Sequence, residues 1–518
     1  MFQQMTADEA IGLIQDGDTI AINSFLTIAN PEELHNALTR RVQKTGKPTD
    51  LTLFCAAGYG GWTQDSYAEP YTQMGAVRKV VAGHFASMPL TGKMILDNKI
   101  EGYNLPLGVM SHMIRATAGK KPGVISHIGL NLSVDPAISG PALNERSTEE
   151  WVKRIELEGE TYLHYKLPKI DIAFIQGTTA DYLGNVSFER ECATLDALAL
   201  AQATKASGGK VIVQVERMSS QHQRPRNVIV PGILIDAIVV CENQQQIFDQ
   251  PNYNPSYSGD VYVPPQEMNI WIGLMQASQK EVKKRTGIHE VISYRAYKEL
   301  QKGDIVNIGI GIAEGVALIA AKTGFLPNIA LTVESGAIGG LPANGYSFGA
   351  TIGADTIYDM SQQFDFYDGG GLDICFVGAL EIDAKGNVNA HYKPGRLTGL
   401  GGIANITQSA RKVIFCSTFS AQGLQVSVSK DNIIIDQEGS VSKFVTDVTA
   451  ISFSAINALR NKQEVLYITE RCVFKLEKDG LMLIEIANGI DLEKDILNQL
   501  PFDVQISPSL KPMTYKLL

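Results

Sequence analysis

The segment Thr332-Val333-Glu334-Ser335-Gly336-Ala337-Ile338-Gly339-Gly340 ends a strand-like run with a carboxylate set directly before glycines. Glycine accepts backbone conformations closed to other residues and lets a ligand approach the main chain, so an acid here is placed to meet something besides solvent. Such a carboxylate can act as a covalent nucleophile. The competing reading is an ordinary surface acid in a loop. Ser335 as a hydrolase nucleophile would require G-x-S-x-G, and Val333 stands where the first glycine is needed.

Two further glycine-rich loops carry chemical potential. Gly309-Ile310-Gly311-Ile312-Ala313-Glu314-Gly315 follows an apolar run and opens a helical stretch, so its N–H groups can converge on an anion such as a phosphate. Its G-x-G-x-x-x-G spacing is one residue longer than the dinucleotide fingerprint, and Glu314 sits close to where phosphate would lie, which argues against a nicotinamide cofactor. The third loop, Pro394-Gly395-Arg396-Leu397-Thr398-Gly399-Leu400-Gly401-Gly402-Ile403-Ala404-Asn405, gathers N–H groups of the kind an oxyanion hole uses. A turn needed only for packing is the alternative for both. The histidines show no metal spacing, since His289-Glu290 lacks the second histidine of H-E-x-x-H, and no metal is expected. His391, just after Gly386-Asn387-Val388-Asn389, is a further group that could reach a substrate.

The elements that must hold these loops are written twice. Asp171-Ile172-Ala173-Phe174 and Gly184-Asn185-Val186 recur as Asp373-Ile374-Cys375-Phe376 and Gly386-Asn387-Val388 at an offset of 202, as do Lys210-Val211-Ile212 and Lys412-Val413-Ile414. Nearer the start, Leu51-Thr52 answers Leu331-Thr332 at 280, and Gly17-Asp18 answers Gly303-Asp304 at 286. The first copy therefore carries about 78 extra residues between Gly61 and Asp171, expected to form a flap or subdomain. At these offsets Glu334 meets Phe54, and the third loop meets Leu198, Ala199 and Leu200 of a helix-like run, so only the second copy holds the chemical versions. Short β-branched runs alternate with helix-like stretches, giving an α/β fold class with ligands beyond the carboxyl ends of the strands. The expected division is a first domain over 1–241, a connector over 242–269 rich in Gln, Asn, Tyr and Pro, and a second domain over 270–518.

Length alone, at about 150 residues per domain, allows three to four domain-sized units in 518 residues. A net charge of −10 opposes binding to a phosphate backbone, so no nucleic-acid partner is expected. The most apolar run, 305–321, is broken by Asn307, Glu314 and glycines, so no membrane span is expected either. The first residues show no basic and apolar leader, and the six cysteines lack CxxC pairs, which suits a cytoplasmic chain with reduced thiols.

Taken in order, Asn307-Ile308-Gly309-Ile310-Gly311-Ile312, Glu334-Ser335-Gly336, Pro394-Gly395 and Gly399-Leu400-Gly401-Gly402 resemble the β half of the family I coenzyme A transferases. Ala118-Gly119-Lys120-Lys121-Pro122-Gly123 and Gly184-Asn185-Val186 resemble the α half, so the likeness covers nearly the whole chain, both halves fused, and is greatest to acetate and propionate CoA-transferases. The resemblance implies two tandem α/β domains with an insertion in the first. It implies Glu334 as covalent nucleophile, Gly401 and Gly402 as the thioester-oxygen site, and CoA contacts at Gly309, Ile310, Gly311, Ile312, Ala313, Thr398 and Gly402. It further implies ping-pong exchange of CoA between short-chain acyl-CoA and carboxylate substrates, with no permanently bound cofactor, in a homodimer or homotetramer. Arg396 and Lys393 are candidate cations for Glu334 or for CoA phosphates. One departure stands out: Asn23-Ser24-Phe25 occupies the place of a G-G-F segment found in many relatives. The rivals are an acyl-CoA hydrolase on the same scaffold and a sugar-phosphate isomerase or ligand-sensing module of similar architecture.

Overall fold

The computed structural model describes residues 2–268, 270 and 287–517. Two sheets carry the chain. In the first, the order is Gln3–Met5, Ala237–Val240, Lys210–Ser219, Ile172–Asp181, Thr19–Ile22, Leu51–Cys55, Val77–Ala82 and Glu101–Asn104, with every neighbouring pair parallel. In the second, five parallel strands repeat that order as Glu464–Ile468, Lys412–Cys416, Ile374–Gly378, Ile305–Ile308 and Ala330–Thr332. The fold is α/β, and the internal duplication is real at the level of topology.

The ladders correct one register. Ala21 pairs with Ala173 and Phe54, while Asn307 pairs with Cys375 and Thr332. The duplication therefore equates Phe54 with Thr332, an offset of 278 where the sequence suggested 280. Glu334 answers Ala56, not Phe54, and Gly336 answers Gly58. A slip of two residues leaves each side chain on its own face of the sheet, so the hydrophobic pattern does not expose it.

Alternation along the first sheet splits its apolar side chains between two layers. Ile20, Ile22, Leu53, Val80, Phe174 and Ile212 face an outer layer that includes helices Ala7–Ile11, Glu32–Thr45 and Pro89–Leu96. Ala21, Phe54, Val81, Ala173 and Val211 join a larger core continuous with the second half. Helix Glu32–Thr45 shows how the sequence builds a covering layer: Leu34, Leu38 and Val42 recur every four residues and are buried, and Gly46 ends the helix at φ 69° with its N–H on Val42 O. Each such aliphatic side chain contributes about 1.5–3 kcal/mol when fully buried.

The extra residues of the first copy form the expected subdomain in part and extend the main sheet in part. Val77–Ala82 and Glu101–Asn104 lengthen the main sheet, and only Val124–Ser126, Glu160–Tyr165 and Val152–Leu157 make a separate antiparallel sheet. Between them, helix Leu107–Ala118 lies on Met360–Asp368 of the second half, so close that a Cβ on Gly108 would come 2.4 Å from Phe364 Cδ1. Arg115 and His112 both meet Asp365 across this seam, at 2.7 and 3.1 Å.

The segment 242–268 lacks long elements, but it is packed: Ile247, Tyr257, Val263 and Met268 are buried, and Gln250 Nε2 donates to Ser347 Oγ at 2.9 Å. Residues 269 and 271–286, at the expected start of the second domain, lie outside the described residues. No described helix is long and apolar enough to cross a membrane.

Candidate active site

Glu334 stands where strand Ala330–Thr332 ends. The Gly336 N–H closes a turn onto Val333 O at 3.0 Å, and Gly336 itself sits at φ 115° with Tyr358 O only 1.8 Å from where a Cβ would be. No other residue fits there, and the turn swings the preceding acid into the interior. Glu334 is 8% exposed. Burial pushes its carboxyl above the ordinary 4.5, opposed by its own backbone N–H and by the side chain of Asn307 on the adjacent strand.

Behind the acid lies a polar network. Asn307 Nδ2 donates to Thr332 O at 3.3 Å, Tyr367 Oη donates to Thr332 Oγ1 at 2.9 Å, and Gln363 Nε2 donates to Tyr367 Oη at 2.6 Å. Burial, with the Glu334 charge behind it, drives the Tyr367 phenol upward, so it stays protonated. Asn307 Oδ1 is buried without a partner among the described residues. In the sequence Asn307 stands out only as a polar break in an apolar run and as the start of the Asn307-Ile308-Gly309 segment, with no role of its own. The signal was available, because Ala21 occupies the matching place in the first copy.

The third loop brings Gly402 against the acid: a Cβ on Gly402 would lie 3.1 Å from Glu334 Oε1. The expectation that several glycine N–H groups point at one oxygen is corrected by the hydrogen bonds. Gly399 N–H donates to His391 O at 3.2 Å, Leu400 N–H to Asn104 Oδ1 at 2.8 Å, and Gly401 N–H to Gly83 O at 2.7 Å. Gly401 is thus spent on docking to the first half. Among the described residues, only the Gly402 N–H of this run finds no acceptor. Thr398 is also tied into the seam, its carbonyl accepting from Phe85 N–H at 2.7 Å and from Ala86 N–H at 3.2 Å.

The loop from Gly309 to Ala313 leaves the neighbouring strand at the same edge, since Asn307 pairs with Thr332. Gly309 N–H donates to Phe376 O at 2.8 Å, whereas the N–H groups of Ile310, Gly311, Ile312 and Ala313 have no acceptor among the described residues. Gly311 sits at φ 99° facing open space, and Ile310 is 49% exposed. Four donors without an acceptor among the described residues thus stand ahead of helix Glu314–Lys322, an arrangement that suits an anion.

The first half closes the site. Asn23 and Ser24 are not offered to a ligand: Asn23 Oδ1 accepts from Asp196 N–H at 3.0 Å, and Ser24 Oγ donates to Gly58 O at 3.0 Å. Phe25 packs on Phe348 at 6.0 Å between ring centres, in a loop that Ser335 Oγ anchors by donating to Gly349 O. His391 is buried and bonded through Nδ1 to Ser452 Oγ at 2.6 Å, a structural role. Arg396 is exposed on the hairpin Tyr392–Leu397, and neither it nor Lys393 acts on the Glu334 carboxyl. His84, read from the sequence as one of several widely spaced histidines without metal spacing, lies beside Gly401 with its Cδ2 3.8 Å from that residue's Cβ position. A lone histidine far along the chain from the acid gives no local signal; only the docking of the halves reveals it.

A family described as coenzyme A transferase matches residues 4–241. The chain is 38% identical to the acetate CoA-transferase YdiF of Escherichia coli K12 over 515 residues, covering 99% of this chain and 94% of that protein. It is also 38% identical to the caffeate CoA-transferase of Acetobacterium woodii over 521 residues, covering 99% and 97%. The crystal structure of the acyl-CoA transferase YdiF from E. coli O157:H7, a thioester complex with CoA, superimposes with a TM-score of 0.90 at 37% identity, covering 99% of this chain and 95% of that one. At 38% identity over 99% of its length to two such enzymes, the chain belongs to the family I coenzyme A transferases, which move CoA between an acyl-CoA and a carboxylate.

Proposed function

We propose that this enzyme exchanges CoA between acyl-CoA and free carboxylates of the acetate, propionate and butyrate class by a ping-pong course through a thioester on Glu334. The Glu334 carboxylate attacks the acyl carbonyl, giving a mixed anhydride and CoA thiolate. The thiolate then attacks the glutamyl carbonyl, releasing the first acid and leaving glutamyl-CoA. An incoming carboxylate reverses both steps. The carrying observation is the buried Glu334 Oε1 set against Gly402, whose N–H is open. One such donor to a developing oxyanion is worth about 2.7–4 kcal/mol. Because a carboxylate is a weak nucleophile, much of the acceleration falls to positioning by remote CoA contacts, for which the loop Ile310–Ala313 is the candidate. Burial of the site also keeps water from the anhydride.

The two relatives of equal identity are named for acetate and for caffeate, so identity does not choose the acyl group. Incubation with acetyl-CoA and borohydride, followed by peptide mapping, is expected to find reduction at Glu334 alone. Labelling of another residue would overturn the assignment. Acyl-CoA loss that does not depend on added carboxylate would favour a hydrolase instead.

A further inference from the structure

His84 follows strand Val77–Ala82, in the part of the first half that has no parallel counterpart in the second. The third loop wraps against it: a Cβ on Gly399 would lie 3.1 Å from the His84 Cα, and one on Gly401 3.8 Å from its Cδ2. One residue further on, the Gly402 position faces Glu334 Oε1 at 3.1 Å. The imidazole and the carboxyl therefore flank a single glycine dipeptide, approaching it from opposite halves.

Buried imidazoles normally find partners. His35 bonds to Tyr71 and Asn30, and His391 to Ser452. The His84 ring is half-buried: its Nδ1 is buried without a partner, and its Nε2 has no hydrogen bond to a described residue. Burial pushes the ring down to about 4, so near pH 7 it is neutral and carries one N–H donor. Since Gly399, Leu400 and Gly401 have spent their N–H groups, the donors left at this dipeptide among the described residues are the Gly402 N–H and this imidazole.

We propose that His84 orients the carboxylate substrate by donating its ring N–H to the carboxylate oxygen that does not attack. The idea rests on the glutamyl-thioester reading. In that step one substrate oxygen forms a C–O bond to the glutamyl carbonyl while the C–S bond breaks and CoA leaves as thiolate. The thiolate then attacks the acyl carbonyl, and the bond to Glu334 breaks to return its carboxylate. No proton changes hands. A neutral donor suits the role, because an imidazolium would attract Glu334 itself and hold the nucleophile in an ion pair.

The test compares His84→Ala with His84→Asn and His84→Gln, whose amide N–H groups stand near one or the other ring nitrogen. The two half-reactions are one reaction run in opposite directions through one transition state, so a substitution that leaves the balance between free and thioester enzyme unchanged lowers kcat/KM for acetyl-CoA and for acetate by the same factor. That factor is expected to be about thirtyfold or more in His84→Ala, with one amide variant within about fivefold of wild type. Free CoA carries no acyl group, so its binding by calorimetry should stay within about twofold. Unchanged exchange in His84→Ala, a matching loss of free-CoA binding, or equal failure of both amide variants would overturn the role. Mass detection of a CoA adduct on wild-type Glu334 separates the two ideas. Its absence ends the thioester reading, while its presence with unaltered exchange in His84→Ala ends only the role of His84.

Discussion

Beyond strand Leu51–Cys55 the chain runs Ala56-Ala57-Gly58, and beyond the matching Ala330–Thr332 it runs through Glu334-Ser335-Gly336. Both glycines sit at positive φ, 80° at Gly58 and 115° at Gly336, so the two halves keep a left-handed glycine at the same place and differ in what precedes it. A second contrast lies beside the first. At the offset of 202, the residues matching Gly399 to Gly402 are Ala197 to Leu200, the first turn of helix Ala197–Ala206, whereas in the second half the helix begins only at Ile403. A third is Ala21 against Asn307. One frame has thus been used twice, and the chemical copy arises by adding an acid, adding an amide behind it and unwinding one turn of helix into glycines. The other copy supplies walls.

That contrast can be broken most sharply at Glu334. Glu334→Gln, which keeps the size of the side chain, is expected to lower acyl-CoA exchange by about 10⁴-fold or more with an unchanged melting temperature. Retention of substantial exchange would mean the two halves do not divide the labour in this way. Next comes Gly402→Ala, whose Cβ would crowd both Glu334 Oε1 and Ile406 Cδ1 at 3.1 Å. A fall in kcat of about 10²–10³ is expected there. Gly401→Ala, facing only His84 Cδ2 at 3.8 Å and strained by its φ of 55°, should cost no more than about tenfold. Equal losses at the two glycines would erase the distinction between the spent N–H and the open one.

Asn307→Ala makes the second copy like the first and sharpens the comparison through pH. Glu334 must be ionised to attack, and its pKa is already raised by burial. Removing an amide that favours the charged form raises it further, so the acid limb of kcat/KM should move to higher pH while the plateau rate changes little. A limb that stays in place would show that Asn307 does not reach the carboxyl. The smallest effect is expected across the seam. Asp365 is held well below the usual carboxylate range by His112 and Arg115, so its contribution is present above its ordinary pKa of 3.8 and is lost as pH falls. Half of the Asp365 side chain is exposed, so Arg115→Ala should cost at most about 1 kcal/mol, read as a small drop in melting temperature near pH 7 that vanishes in acid.

Much of this was legible in the chain itself. The repeat, its α/β rhythm and the three glycine loops are local patterns, and Glu334 announced itself by preceding a glycine that only a tight turn requires. What stayed hidden depends on distance in sequence. The register of Leu51–Cys55 was off by two because a sheet face repeats every second residue. The loss of Gly401 as a donor follows from Gly83, and the place of His84 from the same docking, so neither exists until the halves meet. A flap or subdomain accounts for only part of the insertion, because strands Val77–Ala82 and Glu101–Asn104 have no partner copy to reveal that they extend the main sheet.

The seam at the third loop is sewn largely through the main chain: Gly401 N–H to Gly83 O, Phe85 N–H to Thr398 O and Leu107 N–H to Gly401 O, at 2.7, 2.7 and 2.9 Å. Amide-to-carbonyl stitches carry no side-chain identity, so apart from Asn104, whose side chain accepts from Leu400 N–H, the sequence on either side can drift without unfastening the two copies. The vulnerable points are instead places where bulk is forbidden, such as Gly399, where a methyl group would press on Gly83 O at 2.7 Å. Selection on this joint therefore acts on the path of the backbone.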